Sequence, residues 1–178
     1  MKKYLALALI AAFVALIVAF CARFFFQPKI DFSHISLPKT DYILVEKKNR
    51  RLSLYHQGAV TKQYKIALGP SPIGHKQQEG DGKTPEGIYH IAYKNPKSAF
   101  HLSLKITFPS PQDTERAAKN TVSAGSNIMI HGLGPRYSFL GKNHIARDWT
   151  LGCIAVTDTE IEEIYHTTPI GCPVKIRP

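Results

Sequence analysis

Residues 130–156 read IHGLGPRYSFLGKNHIARDWTLGCIAV, and the organisation of the whole chain follows from this stretch. The apolar run that leads into it, Asn127 to His131 (NIMIH), reads as a buried strand that delivers a histidine at its end. A glycine-rich span follows. Thr150-Leu151-Gly152-Cys153 then leads into CIAV, a second short strand. A thiol is a poor nucleophile until it loses its proton, and a neighbouring imidazole supplies both a base and a compensating charge. Cys153 and His131 are therefore the candidate nucleophile and base. Gly152 gives the turn before the cysteine the backbone freedom that lets N–H groups face a developing oxyanion. Taken singly, each part has a plainer reading: a turn with a buried thiol, and a structural histidine.

On either side the chain is a succession of short β segments. YILVE (42–46), RLSLYH (51–56) and, after a turn at Gln57-Gly58, VTKQYKIALG (60–69) make a hairpin-rich start. GIYHIAYK (87–94) and HLSLKITF (101–108) follow, the second alternating Leu102, Leu104, Ile106 and Phe108 on one face. The intervening residues 69–87, GPSPIGHKQQEGDGKTPEG, hold five glycines and three prolines, too many for a regular element, and read as a long surface loop. Ser110 and Pro111 look like the cap and first turn of a short helix ending near Lys119. Thr157 and Glu160 form a capping box for a second helix with Ile161, Ile164 and Tyr165 on its apolar face, stopped by Pro169. PVKIRP is a last strand. The expectation is one mostly β domain with a few short helices, spanning residues 41–178.

The N-terminal segment is of another kind. Tyr4 to Ala22 contains no charge and follows Lys2 and Lys3, a length that crosses a bilayer as a helix, with the lysines holding the short tail in the cytoplasm. A cleavable signal peptide is the competing reading, but Phe20, Phe24, Phe25 and Phe26 crowd the place where small residues are expected, which favours a retained anchor over residues 1–26. Lipidation at Cys21 meets the same obstacle in Phe20. Residues 27–40, QPKIDFSHISLPKT, read as a tether. The expected location is the cell membrane, single-pass, with the domain on the extracytoplasmic (periplasmic) side. About 150 residues then remain, the size of one domain. Removing Lys2, Lys3 and Arg23 from the 23 Lys plus Arg leaves 20 against 13 Asp plus Glu, a net +7. No basic run is interleaved with aromatics, so nucleic acid is not the expected partner, and an anionic polymer outside the membrane fits better. Cys153 and Cys172 fall in a compartment that permits a bridge, yet Cys172, in IGCPVKI, reads as a small buried thiol at the start of the last strand.

With these residues in place, the chain resembles the L,D-transpeptidase catalytic domain family. Its hallmark is His-Gly or His-Ser, a variable span, and then Ser/Thr-His-Gly-Cys; here the match is His131-Gly132 and Thr150-Leu151-Gly152-Cys153. The likeness extends to LYHQGAVTKQYKIALG, GDGKTPEGIYHI and the terminal GCPVKIRP. The resemblance implies a β-sandwich-like domain with Cys153 as nucleophile, His131 as base and the carbonyl of Gly132 orienting the imidazole. It implies attack on the carbonyl between meso-diaminopimelate and D-alanine of a peptidoglycan tetrapeptide stem, followed by transfer to an acceptor amine. It places residues 69–87 beside the substrate channel, and it implies no metal or organic cofactor.

Two positions depart from the family pattern: Leu151 stands in place of its histidine and Ala155 in place of an arginine or asparagine. Arg136 and Arg147 are candidates to hold a substrate carboxylate instead, against a reading as solvated loop charges. His144 is the candidate to replace the missing histidine, with Asp148 fixing a histidine tautomer and Trp149 walling the pocket, against a reading as a surface histidine. A metal site of His131, His144 and Cys153 matches no compact ligand spacing and is not expected. The rival functions are a carboxypeptidase or amidase working through the same acyl-enzyme, and an inactive wall-binding module.

Overall fold

The computed structural model describes Tyr4, residues 12–18, Phe20 and residues 31–178. The chain divides into two compact units, Met1–Asp31 and Phe32–Pro178. In the first, residues 12–18 are helical with exposed side chains. Among the described residues no helix is long and apolar enough to cross a membrane, and most of the span read as an anchor lies outside them.

The second unit is built on eight strands. β1 (Tyr42–Glu46), β2 (Arg51–His56) and β3 (Ala59–Lys65) form an antiparallel meander. The β2–β3 turn is Gln57-Gly58, with φ of 50° and 79°. Two central residues with positive φ match the right-handed twist of the flanking strands, which is why a two-residue loop suffices here. β4 (Gly87–Ser98) and β5 (His101–Ile106) form a second hairpin, followed by β6 (Met129–His131), β7 (Ile154–Ala155) and β8 (Pro173–Arg177).

The sandwich-like expectation needs correcting, because the strands form a single sheet in the order β3-β2-β1-β8-β4-β5-β6-β7. The reason is β4. Its first residues pair with β8 and the remainder with β5, and register shifts at Ile91/Tyr93 and Asn95/Ser98 interrupt the ladder. Such irregularities bend a strand and raise its twist, so one sheet curls round the core instead of two stacking. The predicted inward face of β5 holds: Leu102, Leu104, Ile106 and Phe108 are all buried. The two ends of the sheet are joined. Ala67, just beyond β3, exchanges both backbone hydrogen bonds with Ala155 of β7, at 3.0 and 2.9 Å.

Both capped helices form where their caps stand. α1 (Pro111–Lys119) starts from Ser110, whose hydroxyl accepts from Asp113 N–H. Between β6 and β7 lie a one-turn helix, α2 (Gly134–Tyr137), and a 3₁₀ segment (Ser138–Ala146), in the span read as a glycine-rich loop. α3 (Asp158–Thr167) starts from Thr157 with Glu160 completing the box, and Ile161 and Ile164 are buried. The end of the stretch read as a tether is laid on the domain: Phe32 stacks on Tyr165 with ring centroids 6.1 Å apart, and Thr40 N–H donates to Thr167 O at 2.9 Å.

Residues 69–87 are not a plain surface loop either. Lys76 and Thr84 are buried. Asp81 accepts from Lys76 Nζ at 2.8 Å and from the N–H groups of Gln77, Gln78 and Lys83. Burial alone would raise its carboxyl pKa, but these donors overcome it and hold the group at about 2. Lys47, at the end of β1, is buried and donates to Gly74 O (2.6 Å), Thr84 O (2.9 Å) and Glu86 Oε1 (2.8 Å). Replacing it strands three acceptors, so Lys47→Ala is expected to cost about 3 kcal/mol of unfolding free energy. Urea titration of wild type and variant measures this, and a loss under about 1 kcal/mol, the range of an exposed pair, would refute the staple.

Candidate active site

β6 and β7 are parallel neighbours, with Ile130 opposite Ile154 and His131 opposite Ala155. Val156 N–H donates to His131 O at 3.0 Å and extends this pairing. Cys153 precedes β7 by one residue, so the register puts it and His131 on one face as diagonal neighbours, within reach of their side chains. His131 is buried between the rings of Phe100 (centroids 4.5 Å apart) and Trp149 (5.8 Å). Its Nδ1 lies 2.6 Å from Gly132 O. A carbonyl only accepts, so Nδ1 carries the hydrogen and Nε2 is left as the basic nitrogen.

Burial pushes the His131 pKa down to about 4, with the nearby His144 acting in the same direction and the Gly132 hydrogen bond opposing. Cys153 keeps part of its surface open to solvent, and its thiol lies 3.5 Å from Asn127 O. Burial still raises the thiol pKa, against a backbone hydrogen bond from Met129 and the charge of Lys76. Both shifts favour uncharged forms. The resting state these shifts favour is a thiol beside a neutral imidazole.

The turn before the cysteine is shaped by Gly152 and Thr150. Gly152 has φ +114°, and a Cβ there would collide with the Lys83 carbonyl of the 69–87 segment. Its N–H donates to Thr150 Oγ1 at 3.1 Å, and that hydroxyl donates to Cys153 O at 2.8 Å. Gly152 therefore shapes the turn, and its amide is already engaged.

Asp148 fixes no histidine tautomer. Its carboxylate receives Arg50 Nε at 3.0 and 3.1 Å, Arg50 Nη2 at 2.5 Å and Leu68 N–H at 2.9 Å. Thr150 N–H returns to Leu68 O at 2.9 Å. Trp149, between these two anchored residues, walls the imidazole and also meets the Tyr137 ring at 5.2 Å. His144 is buried, not a surface histidine, and its Nδ1 has no hydrogen-bond partner among the described residues. Arg136 and Arg147 are both exposed, Arg136 lying over the Tyr137 ring at 5.6 Å. Leu151 is 83% exposed, while Ala155 is fully buried beside Ala67. Cys153 and Cys172 are both free thiols, Cys172 buried, with no bridge between them. Among the described residues no three His, Cys, Asp or Glu side chains converge on a point that would hold a metal.

Sequence reading missed three supports. Phe100 stacks on His131, Arg50 clamps Asp148, and Asp158 Oδ1 accepts the N–H groups of Leu133 (2.7 Å) and Gly134 (2.9 Å), fixing the chain after the histidine. Only Asp158 left a local trace, as an acidic residue in the first turn of a capped helix.

The profile of the YkuD type, the L,D-transpeptidase catalytic domain, matches residues 40–176. The chain belongs to the L,D-transpeptidase catalytic domain family. It is 30% identical over 131 residues to YafK of Escherichia coli (strain K12), covering 70% of this chain and 46% of that protein. It is 25% identical over 146 residues to YqjB of Bacillus subtilis (strain 168), covering 79% and 73%. The structure of the helical cell shape determining protein Pgp2 of Campylobacter jejuni aligns with TM-score 0.58 and 26% identity, covering 83% of this chain and 52% of that one. That of the Enterococcus faecium L,D-transpeptidase aligns with TM-score 0.51 at 17% identity, a likeness of fold, over 79% and 50%. The chain thus spans about half the length of YafK and Pgp2.

For this L,D-transpeptidase-family domain, the neutral resting pair has a measurable consequence. In a Cys21→Ser, Cys172→Ser background, alkylation of Cys153 by iodoacetamide should rise with pH through a midpoint above that of an ordinary cysteine. A plateau already reached near pH 7 would show a preformed thiolate–imidazolium pair instead.

Proposed function

We propose that the domain is an L,D-transpeptidase acting on peptidoglycan tetrapeptide stems. The observation that carries this is the histidine whose Nδ1 is held on Gly132 O, set on the strand beside Cys153 within the family's domain. As Cys153 Sγ bonds to the carbonyl carbon between diaminopimelate and D-alanine, His131 Nε2 takes the thiol proton. When the tetrahedral intermediate collapses, the C–N bond breaks, and His131 returns the proton to the departing D-alanine amine. The thioester is then attacked by an acceptor amine. Its surplus proton passes to His131, and Cys153 leaves as a thiolate that recovers that proton. Burial of the imidazole between Phe100 and Trp149 keeps bulk water off this relay.

Incubating the full-length protein with tetrapeptide muropeptides and reading products by mass spectrometry tests the reaction. Cross-linked dimer and free D-alanine are expected from wild type, and Cys153→Ala should lower turnover by at least about a thousandfold without altering the fold. Tripeptide alone would replace the transferase by a hydrolase, and unchanged substrate would reduce the protein to a wall-binding module. The kinship with Pgp2, a helical cell shape determinant, supports a role in wall remodelling that bears on cell form.

We further propose that residues 1–26 hold the domain on the outer side of the cytoplasmic membrane, on the strength of the uncharged run from Tyr4 to Ala22 behind two lysines. Membrane fractionation with protease treatment of spheroplasts should find the protein membrane-bound and digestible from outside. A soluble, processed main species would overturn the anchor.

A further inference from the structure

A cavity of about 360 Å³ lies beside the catalytic pair, walled by Tyr137, Leu140, Asn143, His144, Arg147 and Trp149. It shares Trp149 with the site, and that indole is 5.8 Å from the His131 imidazole, so a ligand in the cavity is one ring away from the base. The cavity's chemistry is one-sided. Arg147 is its cation and no carboxylate lines it. Of the cations nearby, Arg50 is paired with Asp148 and Lys76 with Asp81, while Arg136 lies over the Tyr137 ring and does not line the cavity. Arg147 makes no ion pair among the described residues and is exposed. A guanidinium in this state is a ready partner for a carboxylate, which it can take in two parallel hydrogen bonds.

The remaining walls suit the rest of an amino-acid end. Leu140 and the indole of Trp149 offer an apolar surface for methylene groups, and Tyr137, packed on Trp149 with ring centroids 5.2 Å apart, extends that wall. His144, buried with Nδ1 unpartnered among the described residues, backs the same wall, where an arriving polar group would offset an unmet hydrogen bond.

We propose that this cavity, with Arg147 as its carboxylate anchor, is a specificity site for the carboxylate-bearing end of a diaminopimelate side chain next to the bond that Cys153 attacks. The inference rests on the tetrapeptide reading above and adds the residue that distinguishes diaminopimelate from lysine, whose side chain ends in an amine without a carboxylate.

The test compares two synthetic tetrapeptides that differ only in their third residue, meso-diaminopimelate or L-lysine, which keeps the amine and drops the carboxylate. With the full-length wild type the diaminopimelate peptide should have a KM lower by about tenfold or more, the worth of one charge-assisted contact. Arg147→Ala should bring the two KM values within about twofold while kcat on the lysine peptide stays as in wild type, and Arg147→Lys should restore part of the preference. An Arg147→Ala enzyme that keeps the wild-type preference overturns the site and leaves the reaction standing. If wild type turns over neither peptide, the reaction reading fails, and calorimetric titration of the diaminopimelate peptide into Cys153→Ala and Cys153→Ala/Arg147→Ala decides the site. Binding weakened about tenfold by the second change supports it; equal binding, or none, overturns it.

Discussion

The paired hydrogen bonds between Ala67 and Ala155 join the two ends of an eight-stranded sheet, and the turn that carries Cys153 hangs from that join. Chain 67–68 and chain 148–155 are fastened at three successive points: Ala67 with Ala155, Leu68 O with Thr150 N–H, and Leu68 N–H with the Asp148 carboxylate. Thr150 then closes on Cys153 through its hydroxyl. Each bond taken alone is worth about 1 kcal/mol. Together they fix the backbone on both sides of Cys153, and Arg50 reinforces the array by holding Asp148 with a charged fork. Positioning of this kind is what a site needs when its reacting groups must stay within tenths of an ångström of a working geometry.

The same burial that makes the site precise also suppresses its charges. His131 is held well below the ordinary histidine value and Cys153 above the ordinary thiol value, so neither ionises alone at neutral pH. The Gly132 carbonyl leaves one tautomer available and compensates part of that loss by favouring the charged ring. At rest the site therefore favours a thiol beside a neutral imidazole over an exposed thiolate.

Residues 69–87 act on the cysteine turn mainly by contact, beside the charge that Lys76 brings near the thiol. Lys47, Lys76 and Asp81 hold a glycine- and proline-rich segment that has no regular hydrogen bonding of its own. Held there, it presents the Lys83 carbonyl so close to Gly152 that only a glycine fits. The conformation of the cysteine turn is thus set by a segment about 70 residues upstream, through a backbone approach that any side chain would block.

Much of this was legible in the chain itself. The alternation of Leu102, Leu104, Ile106 and Phe108, the Gln57-Gly58 turn, the Ser110 cap and the Thr157–Glu160 capping box are interactions between residues one to four apart, and such local patterns act before any tertiary contact exists. The motif residues His131, Gly132, Gly152 and Cys153 were visible through the likeness of two short segments to the family's pattern. The curling of one sheet in place of a sandwich was not visible, because it depends on how β4 shares its length between β8 and β5. Nor could Asp148 be assigned, since its partner Arg50 lies 98 residues away and competes with two histidines that are nearer in sequence. For His144 the sequence left a functional and a surface reading side by side, because a polar, glycine-containing segment resembles a solvated loop, and only the packing of the 3₁₀ segment on the domain buries it. Local sequence determined which elements form and which groups could react; long-range contacts decided where charges pair, because burial and partner choice belong to the assembled chain.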